Sequence, residues 1–372
     1  MQKTVIYLVT EDGYFCSHRL SLARAAKAAG YRVIVATKVS NHHEELQSEG
    51  FEVINIPFVR GRLNPFIELM TFIKIVSVYS KLRPDIAHHV ALKPVIYGSI
   101  AAALLRFPCR LVNMLGGLGY VFTASSLKAS LLKPLVKLGL RLAHLAKNAV
   151  LIIQNKDDMA ELSKIIAADK LRLIPGSGVD TEALQPRSAE NNDVVRVSLV
   201  GRMLWTKGIG ELVEAQKVLQ RNGVTVEIEL VGDTDTQNPE HITREVLQSW
   251  QAEKLIKWHG QRSDVADIYI KSDIAILPSY REGLPKSLLE AASLGKPIIT
   301  TDVPGCRDVI EDGVSGILVP LKDHHALAAA INKLASSKKL RDQMGQKARD
   351  RAVAVFDIAR INQMTLELYM AD

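Results

Sequence analysis

The 372-residue chain is poor in aromatic residues, at 5%, and has only three cysteines. Cys16, Cys109 and Cys306 lie far apart. They form no metal-binding spacing and cannot all pair, which points to a reducing compartment and not to a disulfide-held fold. Long hydrophobic runs are missing too. The longest, "VIYGSIAAALL" from Val95, is too short to span a bilayer. No targeting leader is expected, because Met1 to Thr10 reads as a strand from its first residues. The first strand-loop, "VTEDGYF", lacks G-x-G-x-x-G, and one glycine does not indicate a nicotinamide site. Acids are absent between Asp85 and Asp157.

What is present suits a soluble enzyme. Hydrophobic residues make up 47% and charged residues 23%, and the length fits two α/β domains. The net charge of +7 is uneven. Residues 1–175 carry 23 Lys and Arg against 12 Asp and Glu, while the remainder carries 24 against 28. A basic first half faces something anionic: nucleic acid, a phospholipid surface or a phosphorylated substrate.

Apolar runs alternate with helical patterns along the whole chain. "TVIYLVT", "RVIVATK", "FEVINIP", "DIAHHV", "CRLVNML" and "AVLIIQN" read as buried strands of a first parallel sheet. Ser17 is the expected N-cap of the first helix and Gly30 its C′ residue. A second series runs from "VVRVSLVG" at Val194 to "SGILVP" at Ser315. The expectation is two doubly wound, Rossmann-like α/β domains facing a cleft. These are residues 1–182 and 194–354, with a polar linker at 183–193 and a last helix, about 355–372, packing back on the first domain.

Two loops carry the chemistry. In "VSLVGRMLWTKGIGELVEAQKVL" a strand ends at Gly201, and Arg202 and Lys207 follow in the loop before a helix. Parallel sheets bind ligands beyond the carboxyl ends of their strands. A planar guanidinium and a point-charge ammonium beside a helix N-terminus suit a diphosphate, although a solvated surface loop would look the same. In "PSYREGLPKSLLEAASLGKP" a strand ends near Ser279 and Pro285 takes the first helical position, so Gly283, Leu284, Pro285 and Lys286 form the turn into the helix. Backbone N–H groups from Leu284 to Ser287 are placed to hold phosphate oxygens. Glu282 precedes that end and Glu290 lies roughly 7 Å into the helix at 1.5 Å per residue. Sugar hydroxyls, diphosphate and ribose diol stand in that order in a nucleoside-diphosphate sugar. Carboxylates accept paired hydrogen bonds from vicinal diols. A paired helix acid at Glu290 and a turn residue at Glu282 is the alternative. "GDTD" at Gly232 to Asp235 contains the Asp-x-Asp metal spacing, but it reads as a strand-end turn, and no metal is expected.

These motifs, with "GVD" at Gly178 and "VPGCRDVIEDGVSGILVP" at Val303, resemble the retaining, nucleotide-sugar-dependent glycosyltransferases of GT-B fold that carry an E-x7-E element. The resemblance covers nearly the whole chain. It implies a donor held by the second domain, with Arg202 and Lys207 on its diphosphate, Glu282 on its sugar and Glu290 on its ribose. Those first three are the expected catalytic residues. It also implies that Gly13 lets the chain approach the diphosphate, and that no cofactor is needed beyond a UDP-sugar co-substrate. "HHVALKPVIYGSIAA" and "VNMLGGLGYVFT" are similar to bacterial transferases that extend polyprenyl-diphosphate-linked oligosaccharides, such as N-acetylgalactosaminyltransferases acting on diacetylbacillosamine. That likeness makes His89, Lys93, Gly117 and Gly119 candidate acceptor contacts. Many family members have a His after the strand matching "LVNML"; here Leu115 or Gly116 falls there, so that residue's role does not carry over. His88 and His89 are either substitutes or structural strand-end residues.

One helix bears on location. From Ser125, Leu127, Leu131, Leu135, Leu138, Leu142 and Leu145 recur at helical spacing, opposite Lys133, Lys137, Arg141 and His144. Pro134 is expected to kink or divide this helix. The leucines are core contacts, or the helix lies on anionic lipid; the two are compatible. Together these readings give a cytoplasmic transferase, peripheral on the inner face of the cell membrane and without a nucleic-acid partner. It takes a UDP-N-acetylhexosamine donor and a polyprenyl-diphosphate-linked acceptor. A soluble enzyme of the same fold acting on a small sugar or sugar phosphate, and a non-catalytic basic membrane-surface adaptor, are the alternatives.

Overall fold

The computed structural model describes residues 2–59, 64–118, 127–187 and 194–371, with side chains omitted at 127–131. The chain divides into two compact units, residues 1–177 with 361–372 and residues 178–360.

The first unit holds seven parallel strands: β1 (Thr4–Glu11), β2 (Arg32–Lys38), β3 (Glu52–Asn55), β4 (Ile86–Val90), β5 (Arg110–Met114), β6 (Ala149–Ile153) and β7 (Leu171–Leu173). Their order is β3-β2-β1-β4-β5-β6-β7, so the winding reverses between β1 and β4. Its helices are α1 (Asp12–His18), α2 (Leu20–Ala28), α3 (His43–Ser48), α4 (Pro65–Leu82), α5 (Leu92–Leu105), α6 (Leu127–Ala143) and α7 (Lys156–Leu162). Successive strand residues serve opposite faces, as a pleat requires. Ile6, Leu8, Ile34 and Ala36 pack with Ile75 and Tyr79 of α4. Val5, Tyr7, Val9 and Val33 pack instead with Phe15 and Leu22.

Two sequence expectations change here. The first helix starts at Asp12, not after Ser17, which lies inside α1 and donates its hydroxyl to the Gly13 carbonyl at 2.9 Å. The Asp12 carboxylate anchors that start by accepting N–H groups of Gly13 (2.8 Å), Ser40 (2.5 Å) and His42 (3.1 Å). Nor does Pro134 divide the helix, since α6 runs through it. A proline costs one intrahelical bond, and the buried Leu140 and Ala143 keep the helix on its core.

The second unit has six parallel strands: β8 (Val195–Val200), β9 (Val226–Val231), β10 (Lys257–Trp258), β11 (Ile274–Leu277), β12 (Ile298–Thr301) and β13 (Gly316–Val319). They run in the order β10-β9-β8-β11-β12-β13, with the reversal between β8 and β11. Its helices are α8 (Ile209–Arg221), α9 (Arg244–Ala252), α10 (Val265–Lys271), α11 (Lys286–Ser293), α12 (His324–Ala335) and α13 (Lys338–Arg351). A π-helical turn, Ala352–Phe356, leads to α14 (Ile358–Met370). From Ile361 onward α14 belongs to the first unit, where Ile361 and Tyr369 join the β1–β2 core. Among the described residues, no helix is long and apolar enough to cross a membrane.

Candidate functional site

The loops after β8 and β11, on either side of the second unit's reversal point, are stitched together. The Tyr280 N–H donates to the Thr206 carbonyl at 2.8 Å, and the Ser279 hydroxyl lies 3.1 Å from the same oxygen. Gly208 permits this approach. It has φ +72, and a Cβ there would stand 2.1 Å from the Pro278 carbonyl oxygen. Gly305 does the same for the loop after β12: φ is +79, and a Cβ would lie 2.4 Å from the Glu282 carbonyl oxygen. The Glu282 N–H in turn donates to the Pro304 carbonyl at 3.1 Å. Glycine alone adopts both positions without strain.

That stitching aims the charged side chains. Lys207 Nζ lies 2.5 Å from Glu282 Oε1, with both side chains under one-fifth exposed. Ser279 donates to the same carboxylate oxygen at 2.6 Å. One of three ammonium protons is thereby used, leaving two donors. Cys306, packed behind, has its thiol pushed up to about 12 by burial and by the Glu282 charge. Arg202 donates from Nη1 to Asp235 at 2.7 Å and leaves half its side chain in solvent.

The helix α11 begins at Lys286, with Pro285 at the N-cap. Pro285 therefore stands one position outside the helix, and not at its first position as the sequence suggested. Among the described residues no side chain caps this end. Gly283 and the buried Leu284 complete the turn. One turn on, Glu290 pairs with Lys286 at 3.4 Å, and burial raises its carboxyl above the ordinary range. It is a paired helix acid, and it stands one helical turn from the turn that carries Glu282.

The Asp-x-Asp pair is occupied. Asp233 accepts from Arg244 Nη2 at 2.7 and 2.5 Å and from the Thr234 N–H at 2.7 Å, while Asp235 holds Arg202. Among the described residues, the one cluster with metal-ligand character is Cys16, His42 and Glu45 in the first unit, within 4.8 Å of one another. Its imidazole and carboxylate already bond each other at 2.7 Å.

The first unit places its candidates differently. Gly13 sits in the first turn of α1, where a Cβ would meet the His42 ring at 3.5 Å. Contrary to the acceptor expectation, His89 is fully buried. Its Nδ1 donates to Asn113 Oδ1 (2.7 Å) and its Nε2 accepts from Tyr79 (2.8 Å). Asn113 Nδ2 donates onward to His144 Nε2 at 3.0 Å, and His144 Nδ1 donates to the Leu140 carbonyl at 2.8 Å. His88 is equally buried, 2.6 Å from the Tyr369 hydroxyl. Neither imidazole reaches a surface, so neither replaces the family's missing His. Lys93 is held by Glu68 (2.5 Å) and the Val59 carbonyl (2.8 Å). Gly117 follows β5 with φ +132, and Gly119 lies outside the described residues.

The leucine stripe of α6 does not face the core. Leu135, Leu138 and Leu142, with Leu145 just past the helix end, are 46–72% exposed, while Leu140, Ala143 and the adjoining His144 are buried. Lys133 and Lys137 are half-buried and Arg141 exposed, on a sector between the leucines and the core face. His144 therefore belongs to the buried side and not to the cationic face. Leu127 and Leu131 lie where side chains are not described.

Sequence reasoning missed Ser279, Asp235 and Gly305. Only Ser279 carried a local signal, three residues before Glu282; the partners of the other two are 33 and 23 residues away.

Comparison with known proteins follows the same division. Residues 180–351 match the family described as Glycosyl transferases group 1, and residues 4–154 match Glycosyl transferase 4-like. The chain is 29% identical, over 94% of each sequence, to N,N'-diacetylbacillosaminyl-diphospho-undecaprenol alpha-1,3-N-acetylgalactosaminyltransferase of Campylobacter jejuni. It is 24% identical to UDP-Gal:alpha-D-GlcNAc-diphosphoundecaprenol alpha-1,3-galactosyltransferase of Escherichia coli, over 85% of this chain and 82% of that one. Anabaena HepE, solved with UDP and glucose, superposes with a TM-score of 0.80 at 19% identity over the full length of both chains.

Proposed function

The chain belongs to the glycosyl transferases group 1 and has their GT-B fold, and from that premise we propose a specific reaction. It moves an N-acetylhexosamine from a UDP-sugar to a polyprenyl-diphosphate-linked saccharide, with retention of configuration and without metal. The observation that carries this reading is the Lys207–Glu282 pair at 2.5 Å beside the uncapped start of α11. An arriving diphosphate takes the two remaining Lys207 protons, the outer guanidinium edge of Arg202 and the dipole of α11. Negative charge grows on the leaving UDP as the glycosidic bond breaks, and fixed donors there lower the barrier. Glu282 accepts from sugar hydroxyls and orients the anomeric carbon. Glu290, on the next turn, accepts from the ribose diol. Retention in this reading comes from front-face attack, the acceptor proton passing to the donor phosphate.

The acceptor class rests on the C. jejuni and E. coli relatives, both named for diphospho-undecaprenol acceptors. Exposed leucines and adjacent cations on α6 support attachment to an anionic membrane at the inner face, where such acceptors are presented. The test is a screen of UDP-sugars against a short-chain polyprenyl-diphosphate saccharide, read by mass, with and without EDTA. One UDP-N-acetylhexosamine is expected to extend the acceptor in both conditions. Transfer only to water-soluble sugar phosphates, or only with added Mn²⁺, contradicts the reading.

A further inference from the structure

Helix α4 exposes a second apolar face. Phe66, Leu69, Met70 and Ile73 recur at i, i+3, i+4 and i+7, and all four are 53–70% exposed. A stripe of that kind ordinarily faces a core; here the core side of α4 is already supplied by Thr71, Ile75, Val78 and Tyr79. Exposed apolar patches of such continuity mark interaction surfaces.

We propose that this face enters the hydrocarbon boundary of the same anionic membrane that α6 contacts; the inference rests on the peripheral attachment proposed above. Topology puts the two helices in one layer. Helices α4, α5 and α6 each connect strands that step in the same direction across the sheet, and right-handed crossovers leave all three on one side. Phe72 of α4 meets Tyr97 of α5 edge-on at 6.2 Å. On the other flank Gly139 lets α6 close on α5, since a Cβ there would stand 2.9 Å from Ile96. The buried chain Tyr79–His89–Asn113–His144 runs from α4 through β4 and β5 to the turn that ends α6, where His144 bonds the Leu140 carbonyl.

Charge selects the occupant. The only acid of α4, Glu68, is turned inward onto Lys93 and the Tyr97 hydroxyl at 2.5 and 2.7 Å. The outward face therefore carries no negative charge, and Lys74 lies exposed beside Ile73. From residue 86 to 156, which includes α5 and α6, the sequence has no acid. An apolar face flanked by Lys74, in the part of the chain that carries the excess of cations, fits an anionic leaflet better than a second copy of this chain, whose matching face would bring like charges together. The cations of α6 supply the salt-sensitive part of the attraction, and the apolar face of α4 adds to the salt-resistant part that the α6 leucines begin.

All three tryptophans, Trp205, Trp250 and Trp258, lie in the second unit, so Phe66→Trp places a lone reporter in the first. With phosphatidylglycerol vesicles carrying acyl-chain bromine, the added emission should shift to the blue and be quenched, relative to the unsubstituted protein. The pair Phe66→Glu and Leu69→Glu, checked for unchanged melting, should weaken by about tenfold or more the vesicle binding that survives about 1 M salt, where the screening length is about 3 Å. Bound protein whose introduced indole stays unquenched, or salt-resistant binding that the Glu pair leaves unchanged, overturns the inference and leaves attachment through α6 standing. Loss of a dimer by the Glu pair with vesicle binding intact makes the face an interface between copies and overturns it too. Absence of binding to any vesicle removes this inference and peripheral attachment together.

Discussion

The two units treat their polar residues in opposite ways. In the second, charged side chains from distant loops converge at strand ends: Lys207 on Glu282, Arg202 on Asp235, Glu290 one turn into α11. In the first, the polar residues that looked functional are turned inward, with His88 and His89 inside the fold and Lys93 pinned to Glu68. What the first unit exposes on α4 and α6 is leucine, phenylalanine, methionine and isoleucine beside cations such as Lys74 and Arg141. On the function proposed above, one unit holds an anion by directed bonds and the other presents a surface. A Rossmann-like sheet serves both because its strand ends and its helix faces are independent of each other.

The sharpest way to break this contrast is to remove the second unit's cation. Lys207→Ala should lower kcat/KM by roughly a hundredfold or more, as the loss of one transition-state donor does. Near-normal kcat/KM would place the diphosphate elsewhere.

A pH series probes the first unit's interior. Burial, chiefly, lowers the His89 pKa from 6.5 to about 4, and burial lowers His144 as well. An unfolded chain binds those protons at a pH where the folded chain does not. Stability is therefore full above pH 6.5 and drains away as pH falls toward 4. Hydrogen exchange, corrected for intrinsic rate, should accelerate in β4 and β5 over that window more than in β8 and β11. Equal acceleration in both sheets would remove the distinction.

Glu290→Gln carries a smaller effect. A ribose contact binds ground and transition states alike, so the donor KM should rise by about tenfold with kcat little changed. A fall in kcat at constant KM would move Glu290 into the chemistry.

The strands were legible because a doubly covered parallel strand is a continuous apolar run. The charged loops were legible because they follow such strands directly. Helix orientation was not: leucines at helical spacing specify one face of α6 without saying whether it meets core or solvent. That choice depends on Val136, Leu140 and Ala143, which supply the core contacts instead. The chain from Tyr79 to His144 was hidden for a related reason. Its members come from helix α4, two strands and the turn after α6, and a period-2 strand gives no sign of which histidine meets which helix. Asp235 read as part of a strand-end turn, and only the fold sets it against Arg202.

The division of labour between the units is tested most directly by charge reversal on α6. Lys133→Glu, Lys137→Glu and Arg141→Glu together should be assayed on two acceptors, one embedded in anionic vesicles and one a short water-soluble analogue. The account predicts a large loss of transfer to the embedded acceptor and near-normal transfer to the soluble one, because the donor-binding residues lie in the other unit. Equal loss on both acceptors would contradict it.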